Sequence, residues 1–133
     1  ARTGEVSAPI WVDAAVALAI HDEQLAEHGG AAGARDLGAF ESAMARPVNL
    51  AAYGEHDLAA LAASYGFGLA RNHAFVDGNK RTALVVSILF LMLNGVRLTA
   101  SDAAAILTFV ALAAGELSED GLAQWFRDNT ATA

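Results

Sequence analysis

The chain has 133 residues, enough for one domain with a real core, and 55% of them are apolar. Its formal net charge of −7 and isoelectric point near 4.8 argue against direct nucleic-acid binding, which needs a basic face to neutralise phosphates. Cysteine is absent, so disulfides and thiolate chemistry are excluded and a cytoplasmic setting is expected.

Residues 1–9 read as a short polar N-terminal tail without an apolar signal core, and residues 10–130 as a single domain. Strand signals are nearly missing and helix formers dominate. A first helix is expected from about Val12 to Glu27, stopped by Gly29-Gly30. Asp36 caps a second that runs to about Arg46 and closes at Pro47. Val48–Glu55 reads, on its residues alone, as an irregular loop. Asp57 opens a third helix, with Leu58, Leu61, Ala62, Tyr65 and Leu69 at helical spacing, ending near Asn72. The fourth starts around Gly78 or Asn79 and ends at Asn94-Gly95. It is apolar almost all round, which predicts the central, fully buried helix over Ala83–Leu93. A fifth runs from Ser101 or Asp102 to Ala114, and Ser118 caps a sixth carrying Trp125 and Phe126. The apolar runs Ala83–Leu93 and Ala103–Ala114 are shorter than the ~20 residues of a membrane span, so no membrane partner is expected. The fold class is all-α.

The string His73-Ala74-Phe75-Val76-Asp77-Gly78-Asn79-Lys80-Arg81 joins the third helix to the fourth. Three of the eight basic residues, Arg71, Lys80 and Arg81, fall within eleven positions of this acidic chain. Unpaired backbone N–H groups and the dipole make a helix N-terminus favourable for an anion. Lys80 and Arg81 oppose that dipole unless an anion neutralises both, a local conflict that points to function. His73 is a candidate general base for a hydroxyl. Asp77 is a candidate Mg²⁺ ligand, beside the blander role of helix cap. Gly78 allows close backbone approach, and Asn79 either donates to a phosphate or holds the loop's own backbone. Lys80 and Arg81 supply charge, one as a point and one as a fork. Phe75 reads as an anchor on the core; Arg71 is left between the anion site and the surface. His21-Asp22 is set aside as a surface or core-edge pair, and Gly66-Phe67-Gly68 as no dinucleotide fingerprint.

This string resembles the signature loop of the Fic/Doc (Fido) family, closest to its Doc, or death-on-curing, branch. Ile20-His21-Asp22 with Gly29-Gly30 and Phe90-Leu91 with Asn94-Gly95-Val96 extend the likeness to most of the chain. The resemblance implies a Fido-type bundle of about six helices with a short β-hairpin flap at Val48–Glu55, where Leu50, Ala51, Ala52 and Tyr53 dock a target segment by strand-like pairing. It assigns catalysis to His73, Asp77, Lys80 and Arg81, phosphate binding to Gly78, Asn79, Lys80 and Arg81, and the metal, Mg²⁺, to Asp77. Family members that transfer AMP have Pro, Gly and a second Arg where this chain has Ala74, Lys80 and Leu84. The Lys-containing pattern implies instead a toxin kinase that passes phosphate from ATP to a Ser or Thr hydroxyl, with elongation factor Tu as the implied target. Nucleotidyl transfer and a silent antitoxin-binding module are the rival readings. Related enzymes are often restrained by an internal Ser/Thr-x-x-x-Glu helix. The residue four before each Glu here is never Ser or Thr, so restraint by the disordered C-terminal tail of a cognate antitoxin is expected.

Overall fold

The computed structural model describes residues 8–133, so most of the expected N-terminal tail lies outside the described residues. Six helices follow in chain order: α1 (Ala14–His28), α2 (Leu37–Ala52), α3 (Leu58–Arg71), α4 (Asn79–Leu93), α5 (Asp102–Ala113) and α6 (Glu119–Asp128). Strand β1 (Val96–Leu98) pairs antiparallel with β2 (Thr130–Thr132), Val96 facing Thr132. Side-chain oxygens cap five helices: Asp13, Asp36, Asp57, Ser101 and Ser118 each accept a backbone N–H of the first turn. Among the described helices only α4 begins without a side-chain cap, on Gly78 in the left-handed conformation (φ 83°, ψ 12°).

The central helix is α3, not α4 as expected. It packs against α2, α4, α5 and α6, and even its Ser64, Gly66 and Gly68 are buried. Small residues let the neighbours approach closely: a Cβ on Gly66 would stand 2.9 Å from Ser87 Oγ. Helix α4 lies one layer out, and Met92 at its end is 60% exposed. An all-round apolar sequence measures how much a helix could bury, whereas its neighbours decide how much it does.

The expected hairpin is absent, and Pro47 does not end α2. Residues 37–52 form one helix, and Leu50, Ala51 and Ala52 belong to its last turn. Pro47 removes one helical hydrogen bond and crowds the preceding turn, a cost of about 3 kcal/mol. Against this, Phe40, Ala43, Met44 and Pro47 are buried, and Leu50 and Ala51 pack on the same core. That row keeps the spacing of one helical stripe, and burying each large apolar side chain is worth ~1.5–3 kcal/mol. The turn after α2 leaves Tyr53 93% exposed. The two-stranded ribbon forms elsewhere, at the C-terminal end of α4.

Long-range polar contacts lock the bundle. Arg46 on α2 meets Glu119 on α6 at 2.8 Å, and Arg127 on α6 donates to Asp57 at the start of α3. Asn94, capping α4, exchanges two hydrogen bonds of 2.9 Å with the backbone of Ile10.

Candidate active site

The loop between α3 and α4 begins with His73, exposed and at φ 51°, the one non-glycine residue with positive φ among those described. Histidine tolerates this conformation at a modest cost, of order 1 kcal/mol or more. The loop is held from three sides. Ala74 O accepts N–H bonds from Arg35 (2.8 Å) and Asp36 (3.1 Å), and Val76 N donates to Gly33 O. Phe75 is buried against Phe40 and the ring of His21. Phe75 is therefore the anchor that its apolar character suggested.

Asn79 closes the loop on itself. Its Oδ1 accepts from Phe75 N at 3.1 Å, and its Nδ2 donates to Phe75 O at 3.0 Å. Of the two roles open to Asn79 from sequence, its side chain takes the structural one, while its backbone N–H stays in the first turn of α4. Asp77 does not cap α4: its Oδ2 accepts from Ala31 N at 2.8 Å, tying it to the glycine-rich exit of α1.

A cleft of about 340 Å³ opens over this helix start, lined by His28, Gly29, Gly30 and the run Asp77–Arg81. The structure thus brings Asp77, Gly78, Asn79, Lys80 and Arg81 to one place. Arg81 Nη2 donates to Gly29 O at 3.1 Å, and Arg81 Nε is buried with no partner among the described residues. A buried donor without an acceptor, beside an uncapped helix N-terminus and Lys80, suits a phosphate oxygen. Among the described residues no three His, Cys, Asp or Glu gather to hold a metal. A lone carboxylate fits Mg²⁺ that arrives with a nucleotide and takes its other ligands from phosphate and water. His73 is not part of this lining; it stands at the loop's entry, open to solvent. Arg71 lies over the Phe67 ring at 5.3 Å and is not part of the lining either.

A second cleft of about 390 Å³ adjoins the first and shares His28, Lys80 and Arg81 with it. Leu84, Val85, Ile106, Phe109 and Val110 make it apolar. Leu84, which replaces a second arginine of the AMP-transferring pattern, faces this cleft.

Residues 11–91 match the Fic/DOC family. Protein kinase doc of Escherichia phage P1 is 40% identical over 111 residues, covering 83% of this chain and 87% of that protein. The chain belongs to the Fic/DOC family. Toxin Doc of Mycolicibacterium smegmatis is 47% identical over 75 residues, which is 54% of this chain and 57% of that toxin. The matched family region contains the whole loop, all of α3 and α4 as far as Leu91.

One histidine escaped the sequence reading, and another was read as a surface or core-edge residue. His28, at the end of α1, lines both clefts. His21 is buried at 3% exposure, not at the surface, with its ring stacked on Phe75 at 3.7 Å. Its place on the inner face of α1, four residues after the buried Ala17, was the available signal.

Proposed function

We propose that this chain is a Doc-like toxin that transfers the γ-phosphoryl group of ATP to a Ser or Thr hydroxyl of a protein, with elongation factor Tu as the target to test first. The observation that carries the reading is the one helix start without a side-chain cap, ringed by Asp77, Lys80 and Arg81 over an open cleft. Its likeness to a protein kinase doc and a toxin Doc supports the same choice. Lys80 in the place of a glycine supports phosphoryl over adenylyl transfer, because a long cation fills the surface where an α-phosphate would rest.

The backbone N–H groups of Gly78, Asn79 and Lys80 offer donors to phosphate oxygens, and Arg81 adds the buried Nε–H. Mg²⁺ on Asp77 would neutralise phosphate charge as it is brought in by the nucleotide. His73, exposed at the entry of the loop, would meet a hydroxyl carried by another protein. In neutral form it accepts the hydroxyl proton. The hydroxyl oxygen then bonds to the γ-phosphorus, the bond from that phosphorus to the β–γ bridging oxygen breaks, and ADP leaves. Lys80 and Arg81 stabilise the charge on the transferring group.

A toxin of this type implies an antitoxin partner. Its disordered C-terminal tail would fold as a helix on the apolar cleft of Leu84, Val85, Ile106 and Val110, and its acidic groups would meet Lys80 and Arg81.

The test is to incubate the purified chain with ATP, Mg²⁺ and elongation factor Tu and identify the adduct by mass spectrometry. A phosphoryl group on a Ser or Thr is expected. It should form roughly 10²–10⁴-fold more slowly with His73→Ala, and Asp77→Asn should abolish the Mg²⁺ dependence of ATP binding. An adenylyl adduct would replace the kinase reading by nucleotidyl transfer. Absence of any adduct on elongation factor Tu would reject that target.

A further inference from the structure

We infer that His21 is a positioning residue for the phosphate-binding turn, acting through the peptide that joins Asp77 to Gly78. This rests on the proposed phosphoryl transfer, and it concerns a residue of α1 that lies 56 positions away in sequence.

Three contacts carry it. The His21 Nε2–H donates to Asp77 O at 2.8 Å, so the ring is in the tautomer that protonates Nε2. The ring lies nearly parallel to Phe75, at 11° and 3.7 Å, which prevents it from turning away. A Cβ on Gly78 would stand 3.4 Å from both His21 Cδ2 and Nε2, so the imidazole also bounds the space that Gly78 occupies. The other ring nitrogen, Nδ1, is 3.9 Å from the exposed Asp22 carboxylate, too far for a hydrogen bond.

The Asp77–Gly78 peptide is rigid, so holding its carbonyl also sets the direction of the Gly78 N–H on its far side. That N–H opens the phosphate-binding run, and the same peptide aims the Asp77 side chain. Packing alone does not require histidine here. A Phe would stack on Phe75 and fill the site, but it would leave Asp77 O without its donor. The hydrogen bond is the part of His21 that packing does not explain.

The experiment compares the full-length wild type with His21→Phe and His21→Gln. His21→Phe keeps an aromatic ring and loses the donor; His21→Gln restores an N–H at about the position of Nε2. Transfer to the protein substrate is read as kcat and KM, beside melting temperature and the backbone amide resonances of Gly78 and Asn79. In His21→Phe we expect kcat to fall roughly 10–100-fold, the scale of a misplacement near 1 Å, with KM for the protein substrate unchanged. The Gly78 and Asn79 amides should shift while those of α3 stay in place. His21→Gln should recover most of kcat and the amide positions. A His21→Phe protein with wild-type kcat and an unmoved Gly78 amide overturns the inference, as does a His21→Gln protein no better than His21→Phe. If the wild type transfers no phosphoryl group, the functional reading fails separately. The amide resonances of the three proteins still decide whether His21 orders the turn.

Discussion

Asn79→Ala should destabilise the protein by about 2–4 kcal/mol. The substitution removes both bonds to the backbone of Phe75, at 3.1 and 3.0 Å. The facing segment offers no replacement, since its bonds go to Ala74 O and Val76 N. Phe75 is buried, so its N–H and C=O lose partners where water has little access. An orphaned buried group costs about 1–3 kcal/mol, and two of them set the range. Alanine returns roughly 0.5 kcal/mol of helix propensity, and partial access of water trims the upper end. Urea denaturation followed by circular dichroism should place the midpoint about 1–2 M below wild type. Asn79→Asp keeps the acceptor for Phe75 N–H and loses the donor, so its midpoint should fall between the two. A wild-type midpoint combined with lost ATP affinity would refute the reasoning. It would mean that the amide serves the phosphate and not the loop.

His73→Gly should hold wild-type stability or gain up to about 1 kcal/mol, because glycine accepts positive φ without strain, while transfer falls by roughly 10²–10⁴-fold. Thermal melting and a phosphorylation assay read the two effects, and a destabilised His73→Gly would contradict the strain assigned to this residue. Gly66→Ala should destabilise by about 1–2 kcal/mol despite alanine's better helix propensity. Its Cβ would meet Ser87 Oγ at 2.9 Å, Leu122 Cδ2 at 3.0 Å and Phe109 Cε2 at 3.1 Å, and a raised melting temperature would show that this core yields. Burial raises the Tyr65 hydroxyl above its ordinary value near 10, with the Val12 N–H acting the other way. The folded state then holds that proton more tightly than the unfolded chain. Its contribution is complete below the unfolded value and is lost as pH rises through the folded one. Wild type should therefore lose stability above pH ~10 more steeply than Tyr65→Phe, and equal slopes would count against it.

Much of the fold was legible because its signals are local. Asp36 and Ser118 cap the helices they were expected to cap, and Asp57 and Ser101, expected only near the starts of theirs, do the same, since a short side-chain oxygen serves an N–H two or three residues on. The gathering of the candidate loop was legible for the same reason: Asp77, Gly78, Asn79, Lys80 and Arg81 are contiguous, and any helix that follows them must bring them together at its N-terminus. The absence of a side-chain cap on α4 is the structural form of the conflict between Lys80, Arg81 and the dipole.

What the sequence by itself determined, then, was the number of helices, most of their ends and the contents of the loop. Tertiary structure decided which helix is central, because apolar composition states a capacity for burial and neighbours assign it; α3 has four packing partners among the helices. It decided that α2 runs through Pro47, because the buried stripe from Phe40 to Pro47, with the partly buried Leu50 packed on the same core, offsets a backbone penalty that looks final in isolation. It also decided what holds the loop. Ala31, Arg35 and His21 reach it from far away in sequence, His21 from 56 positions, along contacts that carry no local pattern. A hydrogen bond across the bundle leaves no trace in the spacing of residues on either side of it, so only packing α1 against α4 reveals that a histidine on the first helix holds the turn that opens the fourth.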